Sequence, residues 1–169
     1  LSGDYLPVDE AFLDAFLEEI TQKAKEHGMG AFPGIARVKD NQRPNIRVIY
    51  CPLDEMAQHL NSYQPGNWGY FEYRYDNYRM TGATVVVSTD VSTQEQRNHL
   101  LMEEIVGSLG LTNDIYSHAD SIVYQPWTET QQLSDLDWLM LSYLYNKALR
   151  PGMTSAEAYD KLLPAITLK

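Results

Sequence analysis

The chain has little of several residue types, and each shortage excludes a class of protein. Cys51 is the only cysteine among 169 residues, so an intramolecular disulfide and a metal site with several thiolate ligands are excluded. The longest uninterrupted apolar run has four residues, far below the roughly 20 that a membrane-spanning helix requires. Lysine and arginine total 13 against 23 acidic residues, which gives a formal charge of -10. This charge repels phosphate backbones and anionic headgroups, so we expect no nucleic-acid partner and no direct binding to a membrane surface.

Length and periodicity predict one α+β domain over residues 1–169. The length is close to the roughly 150 residues of an average domain, and no repeat or linker divides the chain. A stripe with a period of four residues predicts that the first helix packs on the core with an acidic outer face; it comprises Val8, Phe12, Phe16, Ile20 and Ala24. Capping residues and hydrophobic patterns predict helices over 9–26, 54–60, 93–109 and 135–148, a last helix that stops before Pro164, and strands over 45–51, 67–80 and 83–88. Strands followed by helices are typical of an α+β fold.

The segment from Glu103 to Asp114, EEIVGSLGLTND, carries the most information about function. At about 100° per residue, Glu103, Glu104 and Gly107 fall on the side of the helix opposite its core stripe. The stripe consists of Leu101, Ile105 and Leu109. The two carboxylates are therefore expected to face a cleft.

This layout resembles the H-E-x-x-H-x-x-G-x-x-H helix of the metzincin zinc peptidases, in which histidines bind zinc and the glutamate polarises a water molecule. The resemblance places Glu103 at the first histidine and Glu104 at the catalytic glutamate. It places Gly107 at the second histidine and Asn113 at the third. Gly107 has no side chain and Asn113 is a poor ligand, so we expect no zinc in this register and no other cofactor.

The resemblance continues downstream and implies a fold. Residues 121–124 resemble the turn whose methionine lies beneath the metal, with Val123 in its place, and residues 133–145 resemble the closing helix. The implied architecture is a metzincin-like single domain. It has a mixed sheet of four to five strands, a backing first helix, a central former active-site helix and a helical C-terminal part.

Residues 103–153 also resemble a bacterial domain family of unknown function that occurs on many predicted lipoproteins. The shared motifs are Glu-Glu, Leu-Gly-Leu, Asn-Asp, Asp-Ser-Ile, a helix ending in Leu-Tyr, and Leu-Arg-Pro-Gly-Met. The resemblance implies an exported, extracytoplasmic chain, secreted or held at the cell envelope by a lipid anchor that has been removed. It implies no activity, and Gly107 departs from the amide side chain usual at that position.

Several polar residues have both a chemical and a structural interpretation. Glu104 stands where a general base would, but paired glutamates usually form a solvated face. His99 and Glu103 are one turn apart and with His118 would make an off-register metal site, although such pairs are more often surface neighbours. Asn113 and Asp114 are expected to cap and turn the chain.

In a metzincin the metal ties the two halves of the domain together, so a chain without zinc ligands is expected to hold this junction by packing and hydrogen bonds. We expect at least one of Glu103 and Glu104 to contact the loop between Asn113 and Tyr124, which also contains His118 and Asp120. Ile122 and Val123 are expected to fill the space beneath the helix.

Aromatic residues are concentrated before and within the strand predicted over 67–80. Trp68, Tyr70, Tyr73 and Tyr75 either pack on the sheet or form a contact surface for a peptide or glycan. In metzincins the corresponding edge strand holds the substrate by β-addition. The favoured function is a monomeric, non-catalytic binding module on a degenerate zinc-peptidase scaffold. The alternative is a metal-dependent peptidase or hydrolase that uses Glu104 with non-standard ligands.

Overall fold

The chain folds around a four-stranded mixed sheet with helices packed against it, which confirms the predicted α+β class. The computed structural model describes residues 1–39 and 41–167, with side chains up to residue 164. In chain order the elements are β1 (Ser2–Gly3), α1 (Pro7–Glu26), β2 (Ile46–Cys51), a 3-10 helix (Leu53–Gln58), β3 (Gly69–Asp76), β4 (Arg79–Ser88), α2 (Gln94–Ser108), α3 (Asp135–Leu144) and α4 (Ser155–Thr167). No helix among the described residues is both long and apolar enough to cross a membrane.

The strand order is β1-β2-β4-β3, which puts β3 at one edge of the sheet. Strands β1, β2 and β4 run parallel, and β3 runs antiparallel to β4. The Ser88 N–H donates to the Trp68 carbonyl, which fixes the alternation of this antiparallel ladder. The backbone groups of Tyr70 and Glu72 therefore point towards β4, and those of Gly69, Phe71 and Tyr73 point outward. We call this outward row, Gly69, Phe71 and Tyr73, the free edge.

The hairpin between β3 and β4 turns earlier than the sequence predicts. A break at Thr81 and Gly82 was expected, but the turn lies at Asn77 and Tyr78, whose φ angles are 47° and 62°. Positive φ at both central residues is the geometry of a two-residue hairpin turn that matches the twist of the strands. Asn tolerates this region, whereas Tyr gives no sequence signal for it, and Gly82 lies within β4 instead.

Two helix ends also differ from the prediction. Helix α3 ends at Leu144, not Ala148, because Tyr145 turns away and donates its hydroxyl to the Leu109 carbonyl. Helix α4 continues past Pro164 to Thr167. Proline removes one hydrogen bond from a helix, and here only three further residues of α4 follow it.

The core lies between the sheet and helices α1 and α2. The predicted stripe of α2 is confirmed at Leu101 and Ile105, which are buried. On α1 the predicted stripe is confirmed at Phe16, Ile20 and Ala24, which are buried, whereas in the first turn Val8 is exposed and Asp9 is buried. Asp9 is buried because it forms an ion pair with Arg97 of α2.

Part of the loop that follows α2 is buried in the core and hydrogen-bonded to Asp137 in the first turn of α3. Ile122 and Val123 are buried in the same cluster as Leu101 and Ile105, as predicted. Ser134 and Asp137 form the capping box of α3, also as predicted. This packing places the loops on either side of Ile122 beside one face of α2.

Candidate binding cleft

An open cleft of about 700 Å³ lies between β3, α2 and the loops that follow α2. Helix α2 forms the floor, the free edge of β3 and the loop before it form one wall, and segments 111–114 and 123–127 form the other. The cleft brings together most of the residues singled out from the sequence: Trp68, Tyr70, Tyr73, Glu103, Glu104, Asn113, Asp114 and Tyr124. The helical periodicity around Glu103 therefore identified the correct face.

Glu104 lies at the floor of the cleft against the start of β3. The residue is only 8% exposed and makes no hydrogen bond to another described residue. A Cβ atom on Gly69 would stand 2.6 Å from Glu104 Oε1, so the carboxyl group occupies space that only a glycine leaves. Burial, and then the nearby Glu103 and Asp114, raise the pKa of Glu104 well above its usual value. Burial thus favours the protonated form of this side chain, which has no hydrogen-bond partner among the described residues.

Glu103 lies one residue earlier and nearer to the solvent. Burial, together with the charge of Asp114, raises the pKa of Glu103 to about 7. Burial raises the pKa of Asp114 as well. The cleft thus holds three carboxyl groups close enough to oppose ionisation of the two glutamates.

His99 lies on the same face of α2, one turn before Glu103. Its Nδ1 lies 3.1 Å from the Thr130 carbonyl, and because a carbonyl can only accept, Nδ1 carries the proton. Its Nε2 is an acceptor, 3.4 Å from Thr128 Oγ1 and 3.7 Å from Glu103 Oε2. Burial lowers the pKa of His99, so the imidazole is neutral at physiological pH.

The residues in the zinc-peptidase register do not fit a catalytic zinc ion. A Cβ atom on Gly107 would stand 2.5 Å from the ring of Phe71, so an aromatic ring fills the position of a second histidine. Asn113 reaches the cleft but brings only an amide. Over residues 1–39 and 41–167, no group of three or more His, Cys, Asp or Glu side chains is placed to hold a metal ion.

Three singled-out residues lie outside the cleft lining. His118 is exposed, adopts a φ of 69°, and its Nδ1 contacts the hydroxyl of Ser117. Asp120 is also exposed. Tyr75 is 72% exposed because the β3 ladder shifts register between Arg74 and Tyr75. The off-register metal site with His118 is therefore not assembled.

The predicted contact between the glutamates and the loop after α2 consists of the charge interaction of both glutamates with Asp114 and includes no hydrogen bond in the described part of the chain. Neither Glu103 nor Glu104 forms a hydrogen bond with this loop in the described structure. Instead, the buried Asp137 accepts from Ser121 Oγ at 2.5 Å and from the Ile122 N–H at 3.0 Å. Its hydrogen bonds with Ser134 cap α3 at the same time. One carboxylate thus ties the loop to the closing helix.

The expected capping by Asn113 and Asp114 is also absent. Neither side chain forms a hydrogen bond within the described residues. The chain turns at Gly110, whose φ is 121° and whose N–H donates to the Gly107 carbonyl. The side chains of Asn113 and Asp114 are left to line the cleft.

Sequence reasoning missed several cleft residues. Trp127 is 53% exposed at the rim and stands edge-on to His99, with ring centroids 5.8 Å apart. Gly69 and Phe71 matter because of their contacts with Glu104 and Gly107. Trp127 is visible in the sequence as a tryptophan outside the predicted helices and strands. The contacts of Gly69 and Phe71 depend on how β3 lies over α2 and leave no signal in the sequence.

The fold and the cleft define a small α+β domain with an acidic, aromatic groove beside an open sheet edge. The family model described as a protein of unknown function, DUF2927, matches residues 13–164. The chain belongs to this family. No curated protein sequence and no solved structure is found to match it.

Proposed function

We propose that the domain is a non-catalytic module that binds an extended polypeptide in the cleft, by adding it as a strand to β3. The observation that carries the proposal is the free edge. Gly69, Phe71 and Tyr73 direct their backbone N–H and C=O groups away from β4, and all three line the cleft. An edge strand with unpaired backbone groups is a template for another chain.

The surroundings of the free edge favour a bound strand over an open surface. The floor from His99 to Gly107 and the opposite wall at 123–127 enclose a groove on the outer side of β3. Tyr73 is 43% exposed and Trp68 is 39% exposed, so aromatic rings remain available to side chains of a bound peptide. Aromatic rings of this kind also stack on sugars, which makes a glycan the other occupant to test.

The same arrangement supports a degenerate zinc-peptidase scaffold as the origin of the groove. In the metzincin resemblance, the edge strand that holds substrate lies beside the active-site helix, and here β3 lies beside α2 with Glu104 facing the groove. We further propose an exported or envelope-bound setting and a monomer. These two points rest on the resemblance of residues 103–153 to domains on predicted lipoproteins.

Strand addition is tested by removing one outward N–H. Tyr73→Pro removes the N–H and the ring, whereas the matched control Tyr73→Ala removes the ring alone. Proline is tolerated on an edge strand where the N–H faces outward. The probe is a capped eight-residue peptide of alternating threonine and valine, with binding followed by NMR shifts of the cleft residues.

Tyr73→Ala should weaken peptide binding by less than about fivefold, and Tyr73→Pro should weaken it more than tenfold, since it also blocks the ladder. Equal losses in the two variants would contradict strand addition. Binding of an N-acetylglucosamine tetrasaccharide with no binding of peptide would assign the cleft to glycans instead.

A hydrolase is the second candidate, favoured by the unpaired carboxyl of Glu104 next to Glu103. The binding proposal expects the peptide to stay intact during prolonged incubation, with or without added zinc. Cleavage that is lost in Glu104→Gln and kept in Asp120→Asn would reverse the ranking.

A further inference from the structure

The charges that line the cleft are strongly one-sided. Its carboxyl groups are Glu103, Glu104 and Asp114, and none of the described lining residues is lysine or arginine. The one basic side chain is His99, which is neutral because burial lowers its pKa. The described lining of the cleft therefore contains no counter-charge for its carboxyl groups.

Glu104 adds an observation that does not depend on this count. A side chain that is only 8% exposed normally has hydrogen-bond partners, because burial of an unpaired carboxyl group is costly. Glu104 has none within the described structure, and its carboxyl is directed into the cleft beside Gly69. An unpaired buried group at the floor of an open cleft is explained by a partner that arrives with the ligand.

Aromatic rings surround the acidic floor. The lining includes Trp68, Tyr73, Tyr124 and Trp127, whereas the ring of Tyr70 packs on the other face of the sheet. Faces of tyrosine and tryptophan attract cations, and the attraction is larger where water is excluded. Carboxyl groups below and aromatic rings around them form an environment suited to an organic cation.

We infer that the cleft selects a polypeptide segment with a lysine or arginine side chain, whose charged end is bound at Glu104 beside Gly69. This inference rests on the proposed strand addition, which brings the backbone of the segment alongside Gly69 and thereby its side chains over α2. Alternate side chains of an added strand point to the same face. One of them reaches the carboxyl group of Glu104, which occupies the space beside Gly69.

An organic cation fits the cleft better than a metal ion does. The described His, Cys, Asp and Glu side chains form no group of three placed for coordination, and a metal ion would make no use of the aromatic walls. An ammonium or guanidinium group forms charge-assisted hydrogen bonds with a single carboxylate at ordinary distances. The cation also favours ionisation of the carboxyl groups, so its binding should release protons.

The test compares four capped peptides of the same threonine-valine sequence that differ at one central position: lysine, arginine, norleucine or glutamate. Acetylation of every amino terminus ensures that only the side chain carries the charge. Trp68 and Trp127 line the cleft, so their fluorescence reports binding together with NMR shifts. The lysine and arginine peptides should bind at least tenfold more tightly than the norleucine peptide, and the glutamate peptide should bind most weakly.

Glu104→Gln should abolish the preference, so that the ratio of the affinities for the lysine and norleucine peptides falls from at least tenfold to about one. Asp120→Asn removes an exposed carboxylate of the loop outside the cleft and is the matched control, which should keep the preference.

A measurement on the unaltered protein avoids any dependence on the folding of a variant. Calorimetry at pH 6.5 in two buffers of different ionisation enthalpy should show proton release with the lysine peptide and none with the norleucine peptide.

The titratable groups that face this position are Glu103, Asp114, His99, Tyr73 and Tyr124. The number of protons released therefore assigns the ionisation to Glu104 only when it is compared with the number released by the Glu104→Gln variant. Equal binding of the four peptides would overturn the charge selection and leave strand addition standing. No binding of any peptide would overturn both. Displacement of the lysine peptide by micromolar zinc chloride would assign the acidic floor to a metal and overturn the inference.

Discussion

The strongest prediction concerns the substitution Glu103→Gln and how its effect on stability changes with pH. The pKa of Glu103 is raised from 4.5 to about 7 in the folded chain, and its side chain is 27% exposed. A carboxyl whose pKa is higher in the folded state holds its proton more tightly there. The folded state therefore loses stability as pH rises from the unfolded pKa, and the loss is complete above the folded pKa.

The size of this loss follows from the shift. A difference of one pKa unit corresponds to about 1.4 kcal/mol, so the free energy of unfolding should fall by about 2 to 3 kcal/mol between pH 5 and pH 8 because of Glu103 alone. Glutamine does not ionise, so the variant Glu103→Gln should not lose this stability. The difference in free energy of unfolding between the variant and the unaltered chain should therefore be about 2 to 3 kcal/mol larger at pH 8 than at pH 5. Urea unfolding at both pH values, followed by circular dichroism, measures the difference.

The control for this experiment is Glu95→Gln, which removes an exposed carboxylate from the first turn of the same helix. It should not reproduce the pH-dependent gain. A Glu103→Gln variant whose stability follows that of the unaltered chain from pH 5 to pH 8 would refute the argument. Such a result would mean that Glu103 is solvated as an ordinary surface carboxylate.

Further predictions concern packing, the junction and metal. Gly107→Ala should lower the free energy of unfolding by about 1 to 3 kcal/mol because its Cβ meets the Phe71 ring, and adding Phe71→Leu should recover part of the loss in urea titrations. Asp137→Asn should cost about 2 to 4 kcal/mol, since the loop and the cap of α3 share that carboxylate; a loss below 1 kcal/mol would contradict this role. Asp9→Asn should cost about 3 to 5 kcal/mol by leaving the Arg97 charge buried without its partner. Treatment with a chelator should leave the melting temperature unchanged in calorimetry, and a drop of several degrees would show a structural metal.

Periodicity in the sequence was sufficient to predict the face of α2 that lines the cleft. Two glutamates on the side away from Leu101 and Ile105 had to lie in a cleft or in solvent, because a helix that packs on a sheet buries one stripe. The capping box at Ser134 and Asp137 was likewise visible, since its residues are three apart. Local patterns of this kind determine elements and faces.

Contacts between distant segments could not be predicted in this way. The ion pair of Asp9 and Arg97 joins residues 88 apart, and nothing in the first helix distinguishes Asp9 from its exposed acidic neighbours. The capping of α3 by Asp137 could be predicted because it is local. The hydrogen bonds of Asp137 with Ser121 and the Ile122 N–H could not, and from the sequence Glu103 or Glu104 was expected to hold this loop. The turn at Asn77 and Tyr78 was missed because tyrosine rarely adopts a positive φ.

The fit of Phe71 against Gly107 connects the absence of a zinc ligand at position 107 with the proposed binding groove. A histidine at position 107 needs the space that the Phe71 ring fills, so such a ligand requires a change in β3 as well. The same contact places β3 directly over α2, so that α2 forms the floor of the cleft beside the free edge. Glu104 is then retained in a groove whose shape depends on the absence of a side chain at Gly69 and at Gly107. Under the proposed function, the residues that exclude catalytic zinc are therefore the ones that shape the site for a peptide.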